Sequence, residues 1–223
     1  MIPFDLSDPF PLLAPQTHTY KDAQEHSAQV DHHLGFYFQT IEENLIADNP
    51  YRKSDEAVQT WQGLPVQAMQ TPYTEIRYML SLLNPKPGQT VIDLGCAYGR
   101  MAFVMGRHYP DVNFIGYELV QERVLEAQRI LSHFSYPRVR VETKDLSSAD
   151  FTPPLADYYF IFDFGSPAAI EKNLNDLRVL AQTKPITVIA RGRGIRHQIY
   201  QSHPWLAAIN TPEVYDHFTF FRS

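Results

Sequence analysis

The chain has 223 residues, of which 44% are hydrophobic, and a formal net charge of −6. It is long enough for one sizeable α/β domain with an extension, or at most two small domains, and too apolar for global disorder. The acidic balance argues against a general nucleic-acid binder, although it leaves a local basic groove open. The single cysteine, Cys96, excludes an internal disulfide and indicates a reducing, cytoplasmic compartment.

The first 70 residues are predicted to form an N-terminal extension. Residues 1–18 are rich in proline, lack Lys and Arg, and are expected to be extended, either wrapped on the surface or mobile. Residues 19–48 have a helical pattern, but Gly35 argues against one unbroken helix, and Asn49-Pro50 ends it. Residues 51–70 are interpreted as a connecting segment. No apolar run approaches the ~20 residues of a membrane-spanning helix.

Residues 71–223 are predicted to form the main domain, because helices and strands alternate from residue 71 onward. Thr71-Pro72 is typical of an N-cap followed by proline, and Ser166-Pro167 repeats that helix start. Strands are predicted over residues 90–94, 112–117, 139–142, 158–162, 185–190 and 218–222. Further helices are predicted over residues 100–109, 120–134 and 195–202. Short connections between them indicate a doubly wound parallel sheet.

The stretch VIDLGCAYGR at residues 91–100 places small residues at alternating positions between a strand and a helix. Residues without bulk let the backbone approach a ligand, glycine permits positive φ, and a helix N-terminus offers free N–H groups. Glu118, at the end of the next strand, is placed to accept both hydroxyls of a ribose. A dinucleotide loop, G-x-G-x-x-G from Gly95, needs glycine where the chain has Ala97 and Arg100.

The spacing D-x-G-x-G-x-G, with Ala97 as its one conservative exception, resembles motif I of the class I S-adenosylmethionine-dependent methyltransferases. The resemblance implies a Rossmann-like sheet of seven strands, mostly parallel with an antiparallel last strand, and S-adenosylmethionine as cofactor. It implies that Glu118 binds the ribose and that Asp145, after the third strand, contacts the adenine amino group. The implied cofactor-binding residues are Asp93, Gly95, Cys96, Ala97, Gly99, Glu118 and Asp145.

Within that family, Thr71-Pro72 followed by Met79-Leu80 and the glycine loop looks like the small protein-lysine methyltransferases of the ATP-synthase type. The Dot1 histone methyltransferases are a more distant similarity. The fourth strand, however, ends in DFGSP at residues 163–167, which matches neither the D/N-P-P-Y of nucleobase amino methyltransferases nor the lysine branch. The acceptor therefore stays open, with a protein lysine first and a small molecule or RNA second.

Two residues are candidates for catalysis. Asp163 ends the fourth strand, where the family places residues that face the methyl group, and is a candidate to hold and deprotonate an amine. The alternative for Asp163 is a helix N-cap. Tyr73 is a candidate to close over the site with its ring facing the sulfonium or the acceptor ammonium, and packing is the alternative.

Three arginines follow the fifth strand in the stretch RGRGIR. Arg191, Arg193 and Arg196 are candidates to bind a phosphate or carboxylate of the substrate, and a solvated glycine turn is the alternative. Cys96 is interpreted as a small residue that lines the cofactor pocket rather than as a nucleophile. Asp31-His32-His33 lack a second ligand cluster, so we expect no metal. The rival functions are a nicotinamide-dependent oxidoreductase and a non-catalytic cofactor-binding module.

Overall fold

A seven-stranded sheet forms the centre of the computed structural model, which describes residues 1–48, 60–61 and 63–223. The strands are β1 (Thr90–Leu94), β2 (Asn113–Glu118), β3 (Val139–Thr143), β4 (Tyr158–Phe162), β5 (Thr187–Arg191), β6 (Glu213–Val214) and β7 (Phe218–Arg222). Their order is β3-β2-β1-β4-β5-β7-β6. Strands β1 to β5 pair in parallel, and β7 is antiparallel to both β5 and β6. The prediction of a mostly parallel seven-stranded sheet with an antiparallel last strand is confirmed.

The strand order reverses direction between β1 and β4. The chain runs outward from β1 to β3 and then returns to place β4 on the other side of β1. In open α/β sheets such a switch point leaves a crevice at the carboxyl ends of the two strands, where ligands bind. The expected ligand site is therefore the edge at which β1 and β4 end.

Nine α-helices lie within the described residues. They are α1 (Tyr20–Leu34), α2 (Phe38–Asp48), α3 (Val66–Met69), α4 (Tyr73–Leu83), α5 (Arg100–His108), α6 (Gln121–Leu131), α7 (Pro167–Leu180), α8 (Arg193–Ser202) and α9 (Pro204–Ala207). Helix α7 has the predicted Ser166 cap, since Oγ of Ser166 accepts from the N–H of Ala169. Helix α4 begins one residue later than predicted, with Pro72 in place of Thr71 as N-cap. The predicted helix end at Asn49-Pro50 lies outside the described residues.

Both faces of the central strands β1, β4 and β5 are largely buried, as their near-continuous apolar sequences require. Neighbouring residues of β4 point to opposite faces, so that Phe160 packs with α4 and α5 while Ile161 packs with α7 and α8. The same alternation places Ile189 of β5 on the first face and Val188 on the second. The sheet is therefore a rigid support for the residues at its carboxyl edge.

The N-terminal residues pack on the helical layer over the first face. Phe10 is buried, with its ring centroid 5.0 Å from that of Tyr73, and Val30 of α1 joins the same core. Gly35, with φ +80°, ends α1, which confirms the predicted break. The described proline-rich start is thus wrapped on the surface, while the domain boundary at residue 70 stays a prediction. No helix of the described residues has the length and apolar character needed to cross a bilayer.

Candidate functional site

A cleft with an empty volume of about 490 Å³ opens at the switch point of the sheet. The carboxyl ends of β1, β4 and β5 form its floor, and the segment between α3 and α4 covers it. The lining residues are Met69, Gln70, Thr71, Ile76, Met79, Asp93, Gly95, Cys96, Ala97, Arg100, Met101, Phe160, Ile161, Phe162, Ile189 and Arg191.

The loop from β1 to α5 explains why residues 95, 97 and 99 are small. Gly95, Ala97 and Gly99 have φ of +88°, +49° and +69°, the left-handed region that side chains disfavour. A Cβ on Gly95 would lie 2.6 Å from Cβ of Phe164, and one on Gly99 would lie 3.2 Å from Cγ2 of Val141. Small residues are therefore required by both the backbone conformation and close packing.

Helix α5 begins at this loop, and its first residue, Arg100, lines the cleft. The guanidinium of Arg100 is buried and binds the carboxylate of Asp31 through Nε and Nη2. It also donates from Nη1 to the carbonyl of Thr71 (3.2 Å) and from Nη2 to Oε1 of Gln67 (2.6 Å). These contacts use four of its five N–H donors, which leaves one on Nη1 beside the positive end of the helix dipole.

Asp93 is the next-to-last residue of β1 and lines the cleft. Burial and then the negative charge of Glu118 raise the pKa of Asp93 to about 7. No described residue donates a hydrogen bond to its carboxylate, so its acceptor capacity is unmet in the protein itself. Such a group favours a ligand that brings a cation or an N–H donor.

Glu118 lies behind the loop at the end of β2. Its Oε2 accepts from the N–H of Ala97 and its Oε1 from the N–H of Val120, both at 3.0 Å. Arg123 adds an ion pair at 3.6 Å. The carboxylate thus joins the ends of β1 and β2, and each oxygen keeps a further lone pair for a ligand hydroxyl.

Gln70 is a cleft residue that sequence reasoning missed. Its side chain is 4% exposed, and neither its amide nitrogen nor its amide oxygen has a hydrogen-bond partner among the described residues. Unpaired buried amides are costly, and native proteins retain few of them. Nothing in the local pattern around residue 70 marks this feature, because it depends on how the α3–α4 segment packs over the sheet.

Comparison with solved structures defines the fold. A SAM-dependent methyltransferase from Aquifex aeolicus superposes with a TM-score of 0.50 at 13% identity, covering 66% of this chain and 88% of that one. TrmN from Thermus thermophilus gives a TM-score of 0.52 at 14% identity, covering 67% of this chain and 47% of that one. The chain has the fold of the S-adenosylmethionine-dependent methyltransferases.

A relative in sequence is also a methyltransferase by name. A tRNA (guanine-N(7)-)-methyltransferase of Synechocystis sp. is 33% identical over 106 residues, or 44% of this chain. The chain spans about half (48%) of the length of that relative. No family model matches the chain.

On this methyltransferase fold, the predicted cofactor residues fall into two groups. Asp93, Gly95, Cys96 and Ala97 line the cleft together. Gly99, Glu118 and Asp145 are not among the lining residues: Gly99 packs against Val141, and Glu118 lies behind the loop. Asp145 is exposed, and its Oδ1 accepts from the N–H and hydroxyl of Ser147, which is a local Asx turn. Oδ2 of Asp145 stays open to solvent or ligand.

Asp163 does not line the cleft of the methyltransferase fold. Its carboxylate accepts from the N–H of Gly194 (3.2 Å) and of Ile195 (2.6 Å), and so caps the start of α8. A Cβ on Gly192 would lie 2.2 Å from Oδ2 of Asp163, and one on Gly194 would lie 2.9 Å from Oδ1. The two glycines of RGRG therefore make room for this carboxylate.

The structure also keeps Tyr73 out of the cleft. The side chain is fully buried, its hydroxyl donates to Oδ1 of Asp31 at 2.9 Å, and the Arg100 guanidinium lies 5.1 Å from its ring centre. Burial raises the pKa of Tyr73 well above its ordinary value, so the hydroxyl is a neutral donor. Its contacts are those of a packed core residue.

The three arginines have different surroundings. Arg191 lines the cleft but is already paired, since Nε and Nη2 bind Glu75 at 2.9 and 3.0 Å and Nη2 also binds the hydroxyl of Tyr20. Arg196 donates from Nε to the carbonyl of Gly192, and Arg193 is exposed on α8. The geometry therefore does not gather the three into one anion site.

Cys96 is a small residue of the cleft wall, and its role in lining a cofactor pocket stays a prediction. The thiol is buried against Gly116, and burial raises its pKa well above the ordinary value. A thiol held protonated in this way is a poor nucleophile. Among the described residues, no group of three or more His, Cys, Asp or Glu side chains is arranged to hold a metal ion.

Proposed function

We propose that the protein is an S-adenosylmethionine-dependent methyltransferase. The observation that carries this proposal is the cleft at the switch point, in which a glycine turn, a helix N-terminus and the unpaired acid Asp93 meet. The fold and the name of the Synechocystis relative support it. The rival nicotinamide-dependent oxidoreductase is disfavoured by Ala97 and Arg100 at positions where a dinucleotide loop has glycine.

The polar groups of the cleft fit the amino-acid portion of the cofactor. Asp93 lacks a donor, and an ammonium supplies one. The remaining Nη1 donor of Arg100 and the N-terminus of α5 fit a carboxylate. The unpaired amide of Gln70 offers one donor group and one acceptor in the same wall.

The nucleoside portion has matching groups behind the loop. Glu118 is held in place by two backbone N–H groups and keeps lone pairs that fit ribose hydroxyls. Asp145, at the end of β3, keeps one carboxylate oxygen that fits the adenine amino group. We propose these two as the nucleoside-binding acids.

When bound, S-adenosylmethionine supplies an activated methyl group on a sulfonium, which is a good electrophile. The protein then has to align the acceptor and keep its nucleophilic atom unprotonated. Phe160 and Phe162, which share one face of β4, form an apolar wall of the cleft. An apolar wall excludes water and lowers the pKa of an amine beside it, which favours the neutral nucleophile. We propose that this wall desolvates the acceptor amine. Asp163 then acts only as the N-terminal cap of α8.

Two acceptor classes are proposed on different grounds. The motifs of residues 71–100 resemble protein-lysine methyltransferases, and the Synechocystis relative is named for methylation of tRNA guanine. Both acceptors react through nitrogen. We therefore propose a nitrogen acceptor and keep protein lysine and RNA as the two candidates.

Thermal unfolding with added ligand tests the cofactor. S-adenosylhomocysteine at 100 times its Kd stabilises a protein by ~2.7 kcal/mol. For a chain of this size that raises the Tm by about 5–11 °C. We expect this shift with S-adenosylhomocysteine and none with NAD; the reverse pattern would establish the oxidoreductase instead.

Transfer of a labelled methyl group into a host lysate tests the acceptor. Label that is removed by protease and resists nuclease identifies a protein acceptor, and the opposite result identifies RNA. Binding of S-adenosylhomocysteine without any transfer in the lysate would leave the non-catalytic binding module as the correct description.

A further inference from the structure

The side chain of Tyr98 anchors the loop from β1 to α5 on the predicted N-terminal extension. Tyr98 follows Ala97, which lines the cleft, yet its own side chain is fully buried in a cluster with Phe38 of α2 and Trp61. Its ring centroid lies 4.4 Å from that of Phe38 and 5.9 Å from that of Trp61. The loop proposed to hold the cofactor is therefore packed against the extension.

Glu42 of α2 is the polar centre of this contact. Its side chain is buried, and Oε1 accepts hydrogen bonds from the hydroxyl of Tyr98 and from Nε of Arg123, both at 2.8 Å. Oε2 accepts from Nη2 of Arg123 at 3.0 Å. A bidentate pair between a carboxylate and a guanidinium fixes orientation as well as distance. Glu42 thus holds one residue of the loop and one residue of α6 in defined positions.

Arg123 stands between Glu42 and Glu118. Its side chain is 1% exposed, and its guanidinium lies 3.8 Å from the centre of the Trp61 ring. Nη1 lies 3.6 Å from Oε1 of Glu118, which is an ion pair but too long for a hydrogen bond. Because Glu42 holds Nε and Nη2, the guanidinium offsets the charge of Glu118 without taking up one of its lone pairs.

Two routes therefore run from Glu42 to Glu118, and they end on different oxygens. Through Arg123, the charge contact reaches Oε1 of Glu118. Through Tyr98, the loop is held at the residue next to Ala97, whose N–H donates to Oε2 of Glu118 at 3.0 Å. Both oxygens proposed to accept ribose hydroxyls are thus arranged by one carboxylate of the extension.

We infer that Glu42 is a positioning residue of the cofactor site, through which the N-terminal extension supports recognition of the ribose. The inference rests on the proposed function, in which Glu118 binds the ribose hydroxyls. Without Glu42, the guanidinium of Arg123 can turn toward Glu118 and compete with a hydroxyl for Oε1. The loop also loses its hydrogen bond at Tyr98. Removal of Glu42 therefore reduces discrimination at the sugar as well as stability.

Calorimetric titration with two ligands that differ by one hydroxyl tests the inference. The ligands are S-adenosylhomocysteine and its 2′-deoxy analogue, and the ratio of their Kd values measures recognition of the 2′-hydroxyl. In the unchanged chain we expect the analogue to bind about 10- to 150-fold more weakly, the range of one hydrogen bond to a charged group. In Glu42→Gln we expect this ratio to fall at least threefold. An equal ratio in the two proteins would overturn the inference, because a merely structural role of Glu42 weakens both ligands alike.

Glu126→Gln is the matched control. Glu126 is also a buried acid between α6 and the extension, since its Oε1 accepts from the N–H of Tyr37 and its carboxylate binds Arg129. Glu118 is not among its described partners, so we expect this variant to lose stability in urea and to keep the ratio of the unchanged chain. A ratio that fell equally in Glu126→Gln would show a general effect of the extension and overturn the specific role of Glu42.

Tyr98→Phe takes the place of Glu42→Gln if that variant does not fold. It keeps the buried ring and removes only the hydroxyl that donates to Glu42. We expect the ratio of the two Kd values to lie at least twofold below that of the unchanged chain, and an unaltered ratio would contradict the inference.

Titration of the unchanged chain with S-adenosylhomocysteine measures the proposed function separately. If S-adenosylhomocysteine and the 2′-deoxy analogue bind equally well, the inference fails while the methyltransferase proposal stands. If S-adenosylhomocysteine does not bind the unchanged chain, the proposed function fails, and the inference fails with it.

Discussion

The hydroxyl of Tyr73 donates a hydrogen bond to Oδ1 of Asp31 at 2.9 Å, and both side chains are buried. The same carboxylate binds the guanidinium of Arg100. Three helices, α1, α4 and α5, are thereby tied together directly beside the cleft. The relationship gives Tyr73 a positioning role: it orders the acid that holds Arg100, and Arg100 lines the cleft.

Tyr73→Phe distinguishes this role from catalysis. The variant removes one buried hydrogen bond but leaves Asp31 paired with Arg100, so we expect a loss of about 1–2 kcal/mol of unfolding free energy in urea. We expect kcat for methyl transfer to stay within about threefold, since a hydroxyl that does not reach the cleft touches no reacting atom. A fall of a hundredfold in a folded variant would restore Tyr73 as a catalytic residue.

Asp31→Ala has a larger predicted effect. Removing one partner of a buried ion pair leaves an uncompensated charge and costs about 3–5 kcal/mol. The double variant Asp31→Leu with Arg100→Met is expected to recover much of that loss, because a buried pair is often replaced by apolar residues at little cost. Glu213→Ala, which breaks the exposed pair with Arg222, is the control and should cost less than about 1 kcal/mol.

Asp163 is predicted to act as a helix cap. Asp163→Asn keeps one of the two oxygens that accept from the N–H groups of Gly194 and Ile195, and its NH2 group faces the other N–H. We therefore expect a loss of stability smaller than that of Asp163→Ala, and turnover close to that of the unchanged chain. Asp163→Ala loses the cap and should cost about 0.5–2 kcal/mol. If Asp163→Asn abolished methyl transfer while S-adenosylhomocysteine still bound, the carboxylate would be the acceptor base after all.

Gln70→Met should move stability and affinity in opposite directions. The Gln70 amide is buried without a partner, and Met has a similar shape, so we expect the unfolding free energy to rise by about 1–2 kcal/mol. If the amide serves the cofactor, the Kd for S-adenosylhomocysteine should rise about five- to tenfold. Gln128→Met is the control: the Gln128 amide already donates to the carbonyl of Val141, and this variant should lose stability. A Gln70→Met variant with unaltered affinity excludes the amide from the site.

Local patterns account for what could be predicted from the sequence. The strand at residues 158–162 is an apolar run between polar flanks, and the left-handed positions 95 and 99 carry glycine, so both are visible within a few residues. Ser166-Pro167 likewise marks a helix start on its own. The two-residue strand β6 and the four-residue helices α3 and α9 are too short to produce a periodic pattern, and they were missed.

The contacts that decide the roles of site residues are long-range. Arg191 and Glu75 lie 116 residues apart, and Arg100 and Asp31 lie 69 apart. No spacing rule indicates that an arginine at the sheet edge is already neutralised, or that Asp163 will face the backbone of α8 rather than the cleft. The chemistry-bearing residue types were identifiable from sequence, while their partners depend on tertiary packing.

Asp93 is expected to make cofactor binding depend on pH. Its pKa is raised from 3.8 to about 7 in the folded protein. Below pH 3.8 the carboxyl is protonated in both the folded and the unfolded chain, and the folded state keeps its full stability. That stability is lost as pH rises through 7, because the carboxyl must then ionise in its buried position. A ligand ammonium reverses this by pairing with the ionised carboxylate. Below pH 7 the carboxyl must release its proton before it can pair, and binding weakens as pH falls.

The expected result is a Kd for S-adenosylhomocysteine that is nearly constant from pH 7.5 to 8 and rises up to about tenfold for each pH unit below 7. Calorimetric titration between pH 5.5 and 8 measures it. Asp93→Asn should bind more weakly with little slope, because an amide does not titrate. Asp145→Asn is the control: the Asp145 pKa is lowered by its hydrogen bonds to Ser147, so it stays ionised throughout and its replacement must leave the slope intact. If the Kd of Asp93→Asn depended on pH as strongly as that of the unchanged chain, another group would be the one that titrates. There would then be no basis for placing the ligand ammonium at Asp93.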